Sequence, residues 1–107
     1  MTDPKNINRL SSHTYELPTF EVGKSGLRYF GPMEIVFCKG SKDTPVHPGL
    51  ITETLIEACK MHLESVNEIV PSYYTTRMIE HLKAALEIAD ERIKDRKARG
   101  VFQTYQK

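Results

Sequence analysis

The sequence predicts an α+β fold class, with a small N-terminal antiparallel β-sheet followed by a C-terminal antiparallel two-helix hairpin. Aromatic and β-branched residues cluster in short stretches between glycines and prolines over residues 14–40. Apolar residues then recur at three- and four-residue steps over residues 50–100, interrupted at Pro71 and Ser72. Two helices joined by so short a link must lie antiparallel, as a hairpin.

The chain has 107 residues, and we expect it to form a single domain, 1–107, in which residues 14–40 are the β-region. Residues 1–13 are polar and without period, so we expect a loosely ordered arm, or one ordered only against a partner subunit. The strongest strand signal is the period-two alternation of residues 33–39, which include Met33, Ile35 and Phe37. The strand-like stretches are residues 14–17, 19–22, 27–30 and 33–39.

Glycines and prolines mark the turns of this region. Val22–Gly26 is typical of a hairpin loop, and Gly31–Pro32 predicts a turn. The glycines do not form a phosphate-binding loop, because the segment lacks the first glycine and the spacing of that motif and no helix follows it. Residues 40–49 are turn-like.

The helical hairpin is predicted over residues 50–100. Thr52 is placed to cap the first helix, and Pro71 stops it. The second helix runs from about Tyr73 to Arg99 and is closed by Gly100. The apolar face of the first helix comprises Leu55, Ile56, Cys59, Leu63, Val66 and Val70, and that of the second comprises Met78, Ile79, Leu82, Ala85, Leu86, Ala89 and Ile93.

The second helix is predicted to exceed the first by about two turns, so its C-terminal end should overhang the hairpin. Its apolar stripe continues through Ile93, past the end of its partner, and must find cover from the sheet or from another subunit. The spacing is close to a heptad, which favours helix packing between protomers. We therefore expect a homo-oligomer.

The overhanging end carries arginines on and beside the apolar face. At about 100° per residue from Leu82, Arg96 falls inside the apolar arc, Arg92 lies one turn before it and Arg99 flanks the same edge. Guanidinium groups at an interface favour a planar, multiply charged anion. A purely structural alternative stays open, because cations complement the C-terminal helix dipole. These arginines could also pair with Glu87, Glu91 or Asp95.

Composition excludes several functional classes. A net charge of +1 argues against binding to a nucleic-acid polymer, and the local excess of cations in residues 92–99 suits a compact anionic ligand better. No apolar run is long enough to span a membrane, and the N-terminus lacks the apolar core of a signal peptide, so we expect a cytosolic protein.

Catalytic, metal and redox chemistry are not predicted. The four histidines stand far apart and form no metal-ligand spacing, so neither a metal nor a cofactor is expected. Cys38 and Cys59 form no CxxC pair and are read as two small buried hydrophobes. No Ser/His/Asp or Cys/His set follows from the spacing, so we do not expect an enzyme.

Several segments together resemble a known family: Met33–Gly40, Leu50–Leu55, His81–Leu86, and Asp95–Val101 followed by Thr104 and Gln106. They are similar to the hairpin domain shared by the Thoeris anti-defence proteins and the anti-CBASS sponge proteins of phages. The resemblance covers about residues 33–106, and the closing Asp-Arg-x-Ala-Arg-Gly-Val-x-x-Thr motif is its most specific part. The strand-like N-terminal region favours the Thoeris branch.

The resemblance implies a phage protein that acts as a sponge in the host bacterial cytosol during infection. Such proteins sequester nucleotide immune second messengers, namely cyclic ADP-ribose isomers and cyclic oligonucleotides, without cleaving them. They assemble as dimer-based homo-oligomers, often hexamers, with ligand pockets between subunits. The alternative is a phage structural or assembly protein that uses the helical hairpin only for oligomerisation.

The resemblance also implies ligand-binding roles for individual residues. The paired phosphate-binding arginines of the family fall on Arg92 and Arg96. Arg99 belongs to the matched motif but could instead cap the helix or bridge subunits, and Thr104 is placed to offer a hydroxyl to a phosphate or ribose.

Base recognition is assigned to the start of the second helix. Tyr73 and Tyr74 are the candidates for stacking on a base, with the alternative that they only pack the hairpin. Thr75 stands near the place where the family has an asparagine, a departure that bears on which ligand is bound.

Overall fold

The computed structural model describes residues 3–40 and 47–100 of the chain. Its elements are β1 (Asn8–Arg9), β2 (Thr14–Gly23), β3 (Gly26–Val36), α1 (Thr52–Ile69) and α2 (Tyr73–Ala98). An antiparallel three-stranded sheet therefore precedes two helices, which confirms the predicted α+β fold class. No helix in the described ranges is both long and apolar enough to cross a membrane.

The described residues fall into two compact units. The single domain expected from the sequence stays a prediction. The first unit is the β-region together with His47–Leu50, and the second is the helical pair from Ile51 onward. We describe each unit by itself.

Two long strands form most of the sheet, in the order β1-β2-β3. The four predicted short stretches merge into β2 and β3, which pair along their whole lengths. The hairpin loop predicted at Val22–Gly26 is confirmed, because Gly23 pairs with Gly26 across a two-residue turn. Gly26 has a φ of 118°, a conformation that residues with a side chain rarely adopt.

The predicted turn at Gly31–Pro32 is wrong, because both residues lie inside β3. Pro32 faces Pro18 of β2, and the register shifts by one residue just beyond, between Thr19 and Phe20. Gly31 carries the φ of 152° that this irregularity requires, and its carbonyl accepts a 2.6 Å hydrogen bond from the Thr19 hydroxyl.

Both ends of the β-region are held by main-chain bonds. In the arm expected to be loosely ordered, or ordered only against a partner, Asn8–Arg9 pair with β2 of the same chain. At the other end, residues 47–50 return to the sheet, since the Leu50 N–H donates to the Val36 carbonyl at 2.8 Å and Leu50 accepts from the Cys38 N–H at 2.8 Å. β3 ends at Val36, three residues before the predicted limit.

The helix ends differ from prediction in one respect. Thr52 is not the N-cap of α1, because Ile51 has the extended cap conformation and no side chain caps the helix. Ser72 is the N-cap of α2. Its N–H donates to the Asn67 side chain at 2.9 Å, and its carbonyl accepts from the Thr76 N–H, so the turn between the helices is well bonded.

The helices contain 18 and 26 residues, so α2 is longer by about 12 Å, as predicted. Gly100, with a φ of 73°, follows the C-cap residue Arg99 and closes α2 as expected. No described residue of either helix is fully buried. Both cysteine thiols are free, as predicted. The prediction that Cys59 is buried is wrong, because this residue is exposed.

Candidate anion-binding cleft

The half-buried face of α2 includes an arginine. The half-buried residues of this helix recur at three- and four-residue steps, and they include Leu82, Ala89, Ile93 and Arg96. Arg96 is thus half-buried, like its apolar neighbours on this face. This residue also interacts with other groups of the protein. The predicted position of Arg96 on the apolar arc is confirmed.

Arg92 lies at the edge of the same face and contacts α1. Its Nη2 atom is 3.4 Å from Oε1 of Glu53, a residue in the first turn of α1. This ion pair joins the two helices near the start of α1, so the part of α2 beyond Arg92 extends past the described end of the hairpin partner. The structural alternative named for Arg92 is partly realised, although with a carboxylate of the other helix.

Both residues of this ion pair help to line a cleft of about 220 Å³. Its walls are mainly apolar, while Arg92 and Glu53 supply one cation and one carboxylate at its rim. The side chain of Arg92 remains 64% exposed and that of Glu53 26% exposed, so the guanidinium group is open to solvent. The cleft is lined by Thr52, Glu53, Ile56, Ala85, Ile88, Ala89 and Arg92.

Arg99 is engaged within its own helix. Its Nε atom donates to Oδ2 of Asp95 at 3.0 Å, an i,i+4 pair on the exposed surface of the last turn. Such a pair contributes only about 0.3–0.5 kcal/mol. Of the three predicted arginines, Arg92 and Arg96 therefore lie on or beside the packed face, and Arg99 points along the exposed surface.

Tyr73 and Tyr74 lie at the opposite end of α2. Their side chains are exposed (71% and 73%), and their rings meet edge to face with centroids 5.7 Å apart. Arg77 lies over the Tyr73 ring at 5.7 Å, so a cation–π contact holds this ring. The exposure argues against the alternative that both tyrosines serve hairpin packing.

The tyrosines and the arginines are far apart within one hairpin. Tyr74 and Arg92 are separated by about 27 Å along the helix axis, at about 1.5 Å per residue. One small ligand cannot contact both groups of a single copy. Thr75 is half-buried, on the side of α2 that packs in the hairpin. Thr104 lies outside the described residues.

Sequence reasoning missed Glu53, Thr52 and Ile88 as part of the site. Ile88 is 63% exposed and lies off the apolar stripe identified from the sequence. Glu53 could have been found by aligning the two helices antiparallel from the Pro71 turn, since this alignment brings the start of α1 beside the later turns of α2. That alignment requires the helix boundaries to be known closely.

The described residues provide no group of three or more His, Cys, Asp or Glu side chains that could hold a metal ion. Compared with known proteins, the chain matches no protein-family model and no curated protein. The candidate site in the described part of the chain consists of the cleft with its ion pair and the two exposed tyrosines.

Proposed function

We propose that this protein binds and sequesters nucleotide immune second messengers without cleaving them, as a phage anti-defence sponge acting in the cytosol of the infected host. The observation that carries the proposal is the solvent-open guanidinium group of Arg92 at the mouth of an apolar cleft, one turn from half-buried Arg96. Cyclic ADP-ribose isomers are the first ligand class and cyclic oligonucleotides the second, because both combine clustered phosphates with flat bases.

The size of the cleft supports a site shared between copies of the chain. Pockets for compact organic ligands usually measure about 300–1,000 Å³, whereas this cleft measures about 220 Å³. A second copy that covers the cleft would enlarge it into an enclosed pocket. It could also bring its own Tyr73 and Tyr74, which stand exposed and too distant in the first copy, to stack on a base.

The surface of α2 beside the cleft suits such a contact. A row of residues, all exposed except half-buried Ala85, runs along this helix at alternating four- and three-residue steps, which is the spacing of helices packed between protomers. Tyr74, Met78 and Ile88 in this row are 73%, 53% and 63% exposed. We call this row the outer stripe, and it comprises Tyr74, Met78, His81, Ala85, Ile88 and Arg92. We infer a dimer-based homo-oligomer, with a hexamer as the expected assembly.

Calorimetric titration with cyclic ADP-ribose isomers and a panel of cyclic di- and trinucleotides tests the proposal. We expect submicromolar binding by the wild-type protein and at least about 100-fold weaker binding by Arg92→Ala, since a charge-assisted contact contributes about 1.5–3 kcal/mol and the base contact depends on it. Lys94→Ala is the matched control, because it removes an exposed cation of the same helix segment that does not line the cleft.

Release of bound ligand by heat, followed by mass spectrometry, separates a sponge from a hydrolase, because a sponge returns its ligand unchanged. The alternative function, a phage assembly protein, has one observation in its favour. Arg92 and Arg99 already have carboxylate partners within the chain. If no nucleotide in the panel binds the folded oligomer, and Arg92→Ala changes only assembly, this alternative replaces the sponge.

A further inference from the structure

The ion pair at the cleft is loose enough to be opened by a ligand. The Arg92 Nη2 to Glu53 Oε1 distance is 3.4 Å, longer than the 2.7–2.9 Å typical of a strong charged hydrogen bond. Among the described residues, this contact uses a single nitrogen of the guanidinium group. The Arg92 side chain remains mostly exposed. A phosphate can therefore approach the unused donors of Arg92 without first removing Glu53 from the cleft.

Glu53 is fixed more firmly than Arg92. It lies in the first turn of α1, where the helix dipole stabilises a negative charge, and its side chain is 26% exposed. Three apolar wall residues lie beside it, namely Ile56, Ala85 and Ile88. A ligand that enters the cleft will meet this carboxylate within a few ångströms of the cation that binds its phosphate.

This arrangement penalises a simple anion. A phosphate held by Arg92 is repelled by the neighbouring carboxylate, because like charges at such short range disfavour each other. The repulsion is offset when the same ligand presents a hydrogen-bond donor to Glu53. A charged carboxylate can only accept hydrogen bonds, so the donor must come from the ligand.

In a nucleotide, the donors nearest to a phosphate are the hydroxyl groups of its ribose, whereas the N–H groups of the base lie beyond the sugar. An acidic side chain that accepts from a ribose hydroxyl is a common arrangement in nucleotide-binding proteins. The short separation of Glu53 and Arg92 matches adjacent sugar and phosphate groups better than a phosphate and a distant base edge.

We propose that Glu53 is a specificity-determining residue of the cleft, which accepts a hydrogen bond from a ribose hydroxyl while Arg92 binds the adjacent phosphate. The cleft thereby selects ribonucleotides over their deoxy forms and over phosphates that carry no sugar. This inference rests on the proposed function, because it concerns the same cleft.

The test compares cyclic ADP-ribose and cyclic diadenylate, each beside its 2′-deoxy form, together with inorganic pyrophosphate, by calorimetric titration. The wild-type protein should bind the better ribonucleotide about 10-fold more tightly than its deoxy form. In Glu53→Ala this ratio should fall to about 1, while pyrophosphate binding becomes several-fold tighter. Glu53→Gln keeps an acceptor oxygen without the charge, so it should retain part of the preference and also bind pyrophosphate more tightly.

Glu57→Ala is the matched control, since it removes a carboxylate one turn later in α1 that does not line the cleft. It should leave the ratio unchanged. If Glu53 only positioned Arg92, its loss would weaken both forms equally and preserve the ratio, which would overturn the inference while the sponge function stands. If no ribonucleotide binds the wild-type protein, the proposed function fails and the inference fails with it.

Discussion

Replacement of Ile88 by Ala provides a direct test of the outer stripe. Ile88 is 63% exposed and contributes little to packing within its own chain. Alanine also has the higher helix propensity. For an isolated chain we therefore expect the free energy of unfolding to change by no more than about 0.5 kcal/mol.

The effect on association should be much larger. The change from Ile to Ala removes about three carbon groups, each stabilising by about 0.8 kcal/mol when buried. If a second copy covers the fraction of Ile88 that is now exposed, about 1.5 kcal/mol is lost per copy. A two-fold contact contains the residue twice, so the loss is about 3 kcal/mol, or roughly 100-fold in the dissociation constant.

Sedimentation of a dilution series measures this dissociation constant, and urea unfolding of the same samples measures stability. Glu87→Ala is the control, because Glu87 is exposed and lies about 100° round the helix from Ile88. Equal dissociation constants for wild type and Ile88→Ala would refute the reasoning. A large loss of stability in a chain that is monomeric throughout would mean that the chain itself covers Ile88.

Three further predictions concern the chain alone. Gly49→Ala should destabilise the β-region by about 2 kcal/mol in urea unfolding, since a Cβ there would lie 2.5 Å from a carbonyl oxygen of β3; a change below about 0.5 kcal/mol would contradict this. Asn67→Ala should cost about 1–2 kcal/mol, because its side chain makes two hydrogen bonds at the interhelical turn; unaltered amide exchange at Ser72 would argue against it. Cys59 should react with a thiol reagent before half-buried Cys38, as peptide mapping would show.

The fold could be predicted largely from local patterns. Period-two alternation and three- to four-residue steps identified the sheet and the helical pair, because each pattern reflects one buried face. The number and length of strands could not be predicted in the same way. Pro18 and Pro32 divide the sequence into short stretches, but pairing between distant parts of the chain makes each strand continuous. Strand β1 was not predicted, because a strand of two residues, Asn8–Arg9, is too short to show an alternating pattern.

The site was only half predictable. The position of Arg96 on the packed face followed from helical geometry alone, and the structure confirms it. The partner of Arg92 did not follow, because the carboxylates considered lay on the same helix, while Glu53 belongs to the other one. The prediction of Thr52 as the cap of α1 was wrong, because several neighbouring residues could begin this helix and the sequence alone does not choose among them.

The facing pair of prolines in the sheet has a consequence for pairing with a further strand. The Phe37 N–H donates to the His13 carbonyl, and this bond sets the alternation of the β2–β3 ladder. Counting along the register places Pro18 and Pro32 opposite each other where main-chain groups point away from the partner strand. Each proline thus stands where a free N–H would otherwise face outward.

On one side, Pro18 comes two residues after Glu16, the position at which β1 stops pairing, so the next outward-facing position of β2 has no N–H donor. On the other side, Pro32 removes a donor from the edge of β3 that faces away from β2. The two prolines therefore reduce the number of main-chain donors that these strands offer for pairing with a further strand.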